Sequence, residues 1–511
     1  MVIKQVSDPT SSSDDDYDPK SKDFKLSVLE KSVIAIGSLI VVLIMVMANH
    51  PEFYKRSRPD TGMLAAVVSA VTQEKVLLIK GWAGMNETRN FAIANEKKSV
   101  GSYKYDISGL TLSTIGIGTY EDGQSVEVDD AGVLAIYESV KHGVNVLDTS
   151  ANQRSEKTVG KALSLLLSSG IICRQSLFLS IKAGSIFPNT RNHTFESWAI
   201  SQPQSVDPQS NDLPAADGAN AAYCITPDCL ERSLTTSRSN LGVDTIDVFY
   251  ISNAAETLLD VVERGDFMQM LNASFSYLET QRSQNRIRYY GMSTWNCFTS
   301  DRYANVYLSL YDVAALAASV GGANHGFRYI QVPVSVTLPG AVRKQSQKDG
   351  DTIIAAAATM NINVVSSRSI GGANPKSLDS AGSTFRACTD TTDYFDILGE
   401  SMRVISAKAT KKKWMGQASR LSLAAQSLLI TRSVPGILTA LVGMRTSHHV
   451  HENLAVLSLP IIPSSIVTTC IFPKSILVGA GRSESVLKGS DPSSRRKQRK
   501  KQFKKGRRDT S

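Results

Sequence analysis

Residues 144–160, VNVLDTSANQRSEKTVG, decide the fold of this chain. A β-rich run ends at Asp148 and Thr149, a short polar segment follows, and an apolar-periodic helix opens at Ser155 and Glu156. The pattern therefore places the Asp148 carboxylate at the carboxyl end of a strand. In parallel α/β barrels the catalytic groups lie at that end of the strands. We predict that Asp148 belongs to a functional site.

Eight short β-like runs of this kind lie between residues 113 and 444, and a helical pattern separates each from the next. They cover residues 113–119, 144–149, 176–183, 246–252, 288–294, 328–335, 362–368 and 439–444. Strand–helix alternation with this number of strands predicts a closed (β/α)8 barrel, the TIM barrel. We expect this α/β domain to cover residues 105–459.

The third and fourth runs are separated by residues 184–222, which are rich in Ser, Asn, Pro, Gln and Asp and show no periodicity. Structureless segments of this length inside a domain are usually lids or disordered. Because this segment leaves the carboxyl end of a strand, we expect a lid over the catalytic face, with disorder as the alternative.

The amino-terminal region differs in character from the barrel. Residues 1–31 are polar, include the cluster SSSDDDYD, and are predicted to be a disordered tail. Residues 32–48 carry no charged side chain, and we expect them to form a transmembrane helix at the short end of the usual length. A buried helix is the alternative. Residues 49–104 are predicted to be a linker.

The formal net charge of +9 comes from the carboxyl-terminal region. From Lys488 onward the chain carries eleven Lys and Arg residues against Asp491 and Asp509, which leaves the remainder near neutral. The barrel therefore has no overall charge that favours nucleic acid. We expect residues 460–511 to form an extension with a disordered basic tail that binds anionic lipid or RNA.

Six cysteines are scattered along the chain, without a Cys-x-x-Cys pair or a histidine at zinc-site spacing. They are Cys173, Cys224, Cys229, Cys297, Cys388 and Cys470. The pattern predicts no metal site and favours reduced thiols. Together with the helix predicted at residues 32–48, it leads us to expect a single-pass membrane protein whose barrel faces a reducing compartment.

The segment around Asp148 resembles the aldo-keto reductase family, in which Asp-Thr-Ala is followed after two residues by Tyr, then by Ser-Glu and a helix entered through Val/Ile-Gly. Later blocks support the resemblance. Residues 224–228 (CITPD) and 239–247 (SNLGVDTID) look like the family's helix and fourth strand. Residues 435–453 (PGILTALVGMRTSHHVHEN) look like its eighth strand and cofactor helix.

Members of this family transfer a hydride from NADPH to a carbonyl group, with a tyrosine as general acid. A lysine lowers the pKa of that tyrosine, an aspartate holds the lysine, and a histidine orients the substrate oxygen. A phenol of pKa about 10 donates a proton usefully only when a nearby cation favours the phenolate. The resemblance assigns Asp148 and Lys182 to the aspartate–lysine pair. A purely structural ion pair is the alternative for them.

The other two catalytic positions of the family carry different residues in this chain. Gln153 stands in place of the tyrosine and Ser252 in place of the histidine. A glutamine amide forms hydrogen bonds but cannot deliver a proton near neutral pH, and Ser252 offers only a hydroxyl. Tyr250 is on the same face of its strand as Ser252 but about 6–7 Å further down, so it is no simple substitute.

The cofactor positions implied by the resemblance are better preserved. They are Ser293, Thr294 and Gln331 for the nicotinamide amide, Gly443, Arg445 and Ser447 for phosphate at a helix N-terminus, and Glu452 and Asn453 for adenine. The family usually has Asn at position 294. The resemblance implies NADP. NAD stays the alternative because His449 stands where many members have an arginine for the 2′-phosphate.

Three functions are compatible with this pattern. Preserved cofactor positions and lost proton-transfer positions favour a pseudoenzyme that binds a nicotinamide dinucleotide and has weak or no carbonyl reductase activity. The second is an active NADPH-dependent aldehyde or ketone reductase with a non-standard proton donor. The third is a membrane-tethered scaffold with a polyanion-binding tail.

Overall fold

The computed structural model of the protein describes residues 78–96, 102–119, 128–149, 153–170, 172–186, 222–371, 417–418 and 420–468. The predicted tail at residues 1–31, the candidate membrane helix at residues 32–48, most of the predicted lid and the basic tail lie outside these ranges. In the ranges that are described, no helix has both the length and the hydropathy needed to cross a membrane.

The described part of the chain forms the predicted closed barrel of eight parallel strands. In chain order the strands of the described residues, which include two antiparallel pairs outside the barrel, are β1 (Tyr103–Tyr105), β2 (Thr111–Ser113), β3 (Ile115–Gly118), β4 (Val146–Asp148), β5 (Phe178–Ala183), β6 (Ser185–Ile186), β7 (Ala222–Tyr223), β8 (Ile246–Ser252), β9 (Ile287–Ser293), β10 (Phe327–Pro333), β11 (Asn363–Ser367) and β12 (Ile437–Val442). The barrel order is β3, β4, β5, β8, β9, β10, β11 and β12, and β12 pairs with β3 to close it. Each barrel strand falls on one of the eight runs identified in the sequence.

Helices connect the strands on the outside of the barrel. They are α1 (Met85–Glu96), α2 (Asp130–Lys141), α3 (Gln153–Ser168), α4 (Pro227–Leu241), α5 (Ala254–Leu258), α6 (Arg264–Ser283), α7 (Leu310–Gly321), α8 (Gly340–Arg343), α9 (Ile353–Thr359), α10 (Leu423–Arg432), α11 (Ser447–Leu454) and α12 (Ser464–Ile466). Helix α4 shows how local sequence sets the bounds: Thr226 caps its first turn, Pro227 opens it, and Gly242 ends it with a left-handed φ of 69°.

Two apolar clusters form the core. Inside the barrel, Val146, Phe178, Val248, Tyr250 and Tyr329 belong to one cluster that fills the centre. The second cluster lies between the barrel and its helices and contains the outward-facing residues of the same strands. Successive side chains of each strand point alternately into the barrel and toward the helices, which produces the two clusters. The barrel centre is filled by side chains rather than open.

The amino end of the barrel is covered by the antiparallel hairpin of β1 and β2 and by helix α1. Ala83 N donates to Asp247 Oδ1 at 2.7 Å, and Ile79 forms a β-bridge with Val243. Residues 78–96 were expected to belong to a linker. They are instead folded onto the barrel.

Strands β6 and β7 pair antiparallel and form the neck of the insertion at residues 187–221. Gly184, between β5 and β6, has a φ of +127°, and a Cβ there would lie 2.7 Å from Tyr223 Oη. The turn into the neck therefore requires glycine. Tyr223 Oη in turn donates to Ser252 O at 2.5 Å. The ends of the predicted lid are thus fixed beside the carboxyl end of β8, and the lid itself lies outside the described residues.

A disulfide joins Cys224 to Cys229. The expectation of reduced thiols is therefore wrong for this pair. The sequence spacing of the two cysteines did not indicate a disulfide because their pairing depends on the turn at Thr226. That turn brings the end of β7 and the first turn of α4 together. Of the other described cysteines, Cys173 is exposed and Cys297 is buried.

The first residues of the carboxyl-terminal extension also pack on the barrel. Ile462 and Val467 are fully buried in the outer apolar cluster. Arg432, the last residue of α10, donates to Leu459 O and to Thr114 Oγ1, the latter at 3.0 Å. The boundary predicted at residue 459 therefore falls a few residues before the packed region ends.

Candidate active site

Asp148 and Lys182 form an ion pair at the carboxyl ends of β4 and β5. Lys182 Nζ donates to Asp148 Oδ2 and, at 2.9 Å, to Thr149 O. The parallel register places Ser180 opposite Asp148, and Ser180 Oγ donates to Asp148 Oδ1 at 2.6 Å. The lysine side chain is 15% exposed and the aspartate side chain 5%. The pair is therefore mostly buried, but its lysine still reaches solvent.

A continuous chain of hydrogen bonds joins this pair to two of the predicted cofactor residues. Gln331 Nε2 donates to Asp148 Oδ1 at 3.2 Å, and Ser293 Oγ donates to Gln331 Oε1 at 3.0 Å. Ser293 and Gln331 lie opposite each other on β9 and β10. The structure thus brings together the residues assigned separately to catalysis and to the nicotinamide amide.

Ser252, where the family has its histidine, ends β8 opposite Ser293 and is 8% exposed. The next residue, Asn253, has a left-handed φ of 52° and donates its N–H to Ser293 O at 2.7 Å. Asparagine adopts this conformation more readily than most non-glycine residues, so it suits the tight turn at the end of the strand. The end of β8 is therefore fixed against β9, and it carries a hydroxyl where the family has an imidazole.

Gln153, where the family has its tyrosine, is the first residue of α3, and its side chain lies outside the described part of the structure. The motif residues that follow it dock α3 on α4. Glu156 accepts hydrogen bonds from Ser237 Oγ at 2.5 Å and Asn240 Nδ2 at 2.7 Å. A Cβ at Gly160 would lie 2.2 Å from Asn240 O, so only glycine allows this approach. This half of the motif is explained by packing.

The predicted phosphate-binding residues lie where β12 ends and α11 begins. Gly443, Arg445 and Ser447 are exposed, and the Thr446 side chain caps the first turn of α11. Arg445 Nη2 is 3.1 Å from Asp129 Oδ2, at the residue that precedes α2. The sequence did not predict this ion pair. It holds the guanidinium beside the helix N-terminus, where the side chain remains 57% exposed.

The predicted adenine contacts, Glu452 and Asn453, lie in the last turn of α11. Glu452 is half-buried and Asn453 is 4% exposed. At a rise of 1.5 Å per residue, they are about 8 Å along the axis from the first turn of the helix. The structure therefore places the predicted phosphate residues at the start of α11 or just before it and the predicted adenine residues in its last turn.

The model of the aldo/keto reductase family matches residues 114–319 of this chain. The resemblance to that family is confirmed. The matched residues run from the start of β3 into α7 and include Asp148, Lys182, Ser252 and Ser293. Strands β10 to β12 and helix α11, with Gln331 and the predicted phosphate and adenine residues, follow the matched part of this aldo/keto reductase-like barrel.

Solved structures of aldo-keto reductases align with the chain at low similarity. One from Klebsiella pneumoniae, in complex with NADP and acetate, covers 73% of this chain and 96% of its own at 16% identity and a TM-score of 0.44. A second from that organism, in complex with NADPH, gives the same four values. A thermostable aldo-keto reductase in complex with epalrestat covers 72% and 97% at 15% identity and a TM-score of 0.44. No curated protein sequence matches the chain.

The structure adds Tyr250 to the site. It lies opposite Lys182 in the register of β5 and β8, and its buried hydroxyl has no hydrogen-bond partner among the described residues. Gly291 lies beside the ring: a Cβ there would be 1.9 Å from Tyr329 O and 3.2 Å from the Tyr250 ring, so the strand pairing requires glycine. Burial and then the charge of Asp148 raise the pKa of Tyr250 well above its usual value. The Tyr250 phenol is therefore neutral and lies beside the Asp148–Lys182 ion pair.

No group of three His, Cys, Asp or Glu side chains within the described ranges is arranged to hold a metal ion.

Proposed function

We propose that the barrel binds a reduced nicotinamide dinucleotide, NADPH, at the carboxyl ends of β9, β10 and β12, and that its carbonyl reductase activity is weak or absent. NADH is the alternative nucleotide. The observation that supports this most strongly is the hydrogen-bonded chain from Ser293 through Gln331 to Asp148 and Lys182. The preference for NADPH comes from the resemblance to the family.

The polar groups of Gln331 and Ser293 fit a carboxamide. Gln331 uses one amide hydrogen for Asp148 and one oxygen lone pair for Ser293. An amide carries two hydrogens and two lone pairs, so one donor and one acceptor of the buried Gln331 side chain are left over from its two hydrogen bonds to described side chains. Ser293 Oγ, which donates to Gln331, can also accept. These groups match the acceptor oxygen and donor nitrogen of the nicotinamide amide.

The residues at the substrate side explain why activity is expected to be weak. When bound, the reduced nicotinamide supplies a hydride to a carbonyl carbon. The ammonium of Lys182, held by Asp148, can stabilise negative charge on the substrate oxygen. The Ser252 hydroxyl can donate a hydrogen bond to that oxygen but is no acid near neutral pH. The phenol of Tyr250 is buried below the pair, so it does not replace the family's tyrosine.

One observation favours the alternative of an active reductase. An ammonium has three N–H groups, and Lys182 uses two of them for Asp148 and Thr149. Among the described residues no group accepts the third. Lys182 itself can then donate the proton to the substrate oxygen, and such activity would be lost in Lys182→Met.

The binding proposal is tested by titrating NADPH and NADH against the full-length protein and following melting temperature. A ligand at one hundred times its dissociation constant stabilises the folded state by about 2.7 kcal/mol. We expect Ser293→Ala to weaken NADPH binding, because it removes the hydroxyl bonded to Gln331.

Ser319→Ala is the matched control, since it removes a hydroxyl from the exposed face of α7. It should bind NADPH like the wild type. If neither nucleotide shifts the melting temperature of the wild type at millimolar concentration, the proposed function is wrong.

We also propose, from the sequence alone, that residues 32–48 anchor the protein in a membrane and that the basic tail binds anionic lipid or RNA. The Cys224–Cys229 disulfide weakens the argument for a reducing compartment. Carbonate extraction of the full-length protein, compared with a form that lacks residues 1–50, tests the anchor. Equal release of both forms would contradict it.

A further inference from the structure

A buried carboxylate at the end of β8 binds the loop that follows β9. Glu256, in the short helix α5, is 8% exposed. Its Oε1 accepts the backbone N–H groups of three consecutive residues, Trp295, Asn296 and Cys297, at 2.9, 2.9 and 3.0 Å. One oxygen atom therefore fixes the positions of three peptide groups.

Consecutive N–H groups that converge on one point form an anion site, and in many proteins a phosphate fills it. Here the anion is the protein's own carboxylate. Hydrogen bonds to a charged acceptor are stronger than those to a neutral one. The other oxygen of Glu256, Oε2, is buried and has no hydrogen-bond partner among the described residues. The buried carboxylate therefore binds the loop backbone through one of its two oxygen atoms.

The three amides come directly after Ser293 and Thr294, the residues predicted to hold the nicotinamide amide. Asn253 N donates to Ser293 O at 2.7 Å, and Thr294 N donates to Gln331 O at 2.9 Å. The pair Ser293–Thr294 is therefore held by β8 on one side and β10 on the other. Glu256 fixes the chain immediately beyond it, where the strand has ended and the ladder gives no further support.

We infer that Glu256 is a positioning residue for the nicotinamide end of the dinucleotide. Its carboxylate accepts the three loop amides and interacts with the Cys297 thiol of the same loop, so it acts through the loop that follows Ser293 and Thr294. The inference rests on the proposed function. Removing the charge of Glu256 should loosen the loop and weaken the grip on the nicotinamide amide. The adenine half, predicted to bind at α11, should be unaffected.

A purely structural role for Glu256 predicts something different. If the carboxylate only stabilised the fold, its loss would weaken every part of the nucleotide site together. Two ligands separate these outcomes: NADPH, which carries the nicotinamide, and adenosine 2′,5′-bisphosphate, which has the adenine half alone.

The experiment is calorimetric titration of both ligands against full-length wild type and Glu256→Gln, which keeps the shape of the side chain and one carbonyl oxygen. We expect NADPH affinity to fall about tenfold, because three bonds to a charged acceptor become bonds to a neutral one. Affinity for the bisphosphate should stay within about twofold. Glu138→Gln, the same change at a half-exposed position on α2, is the control and should leave both affinities unchanged.

Equal loss of both ligands, or no loss of NADPH affinity, overturns the inference while the proposed function stands. If the wild type binds neither NADPH nor NADH, the proposed function fails and the inference with it; if it binds NADH alone, the same contrast is measured with NADH and adenosine monophosphate. Should Glu256→Gln fail to fold, Glu256→Asp, which keeps the charge and shortens its reach, is tested for the same contrast between the two ligands.

Discussion

The described barrel buries an aspartate–cation pair at each end, and the two pairs differ in their partners. At the amino end, the side chains of Asp247 and Arg174 are 3% and 1% exposed. Besides Arg174, the carboxylate of Asp247 binds two backbone amides, Ala83 N at 2.7 Å and Leu179 N at 2.8 Å. Arg174 also donates to two backbone carbonyls. This pair ties strand ends and the preceding segment into one rigid unit.

At the carboxyl end, Asp148 is bonded instead to the side chains of Ser180, Gln331 and Lys182. Side chains can exchange partners when a ligand enters, whereas backbone groups in a strand cannot. The more exposed cation, Lys182, has an N–H that no described group accepts. The difference favours a structural role for the amino-end pair and a functional one for the carboxyl-end pair.

The largest expected effect restores a proton donor beside the carboxyl-end pair. In Gln153→Tyr, a phenol regains the family's position, and Lys182 can lower its pKa if Asp148 still holds the lysine. General acid catalysis contributes about 10² to 10⁴-fold, so turnover of a generic aldehyde with NADPH should rise by that factor. Ser252→His should add little alone and more in combination, because both groups act on one oxygen.

Lys182→Met is the control for this comparison and should abolish the gain in the Gln153→Tyr background. High wild-type turnover that survives Lys182→Met would show that the carboxyl-end pair has no catalytic part. The functional half of the comparison would then be wrong.

The next effect concerns stability. Asp247→Asn leaves Arg174 buried without its counter-charge, and losing one partner of a buried pair costs about 3–5 kcal/mol. Asp148→Asn should cost only about 1–2 kcal/mol, because the partly exposed Lys182 keeps access to water. Urea denaturation of the two variants measures the difference. Equal losses would mean that both pairs are structural clamps.

A third effect, smaller than the loss expected for Asp247→Asn, concerns a buried carboxylate that has only neutral hydrogen-bond donors. Burial raises the pKa of Glu156 from 4.5 to about 7. Between those values the folded protein keeps a proton that the unfolded chain releases, so the free energy of unfolding falls as pH rises. Above pH 7 the full free-energy cost of burying the ionised carboxylate applies, and below pH 4.5 this cost vanishes.

Glu156→Gln removes this dependence because an amide does not titrate. Relative to the variant, the wild type should lose about 2–3 kcal/mol of stability between pH 4.5 and about pH 8. Chemical denaturation across this range is the measurement. If the free energies of unfolding of the two proteins change in parallel with pH, Glu156 stays ionised in the folded protein. A carboxylate buried at this position would then keep its charge without a cation beside it.

The barrel could be predicted because its signals are local. Each barrel strand is a short apolar run, and the helical pattern between runs sets the parallel order. Asp148 was predicted because catalytic groups lie at the strand ends of such a barrel, and Lys182, Ser293 and Gln331 were predicted through the family resemblance. The hydrogen bonds that link these residues follow from strand register.

What the sequence did not predict depends on contacts between distant segments. The segment that leads into helix α1 is anchored at Ala83 by Asp247, some 160 residues later in the chain. The Cys224–Cys229 disulfide depends on a capped turn, and the role of Glu256 depends on a loop about 40 residues away. Arg445 was expected to meet only phosphate, and its partner Asp129 lies more than 300 residues earlier. No local sequence pattern encodes contacts between residues that lie far apart in the chain.

The paired strands β6 and β7 have a consequence for how this barrel can change over generations. Loop closure entropy grows only slowly with length, about 0.6 kcal/mol for each doubling. Because the neck fixes where residues 187–221 leave and rejoin the barrel, that insert can lengthen, shorten or be replaced without shifting the register of β5 and β8. Insertions and deletions there leave the strands that carry Asp148 and Lys182 as they are.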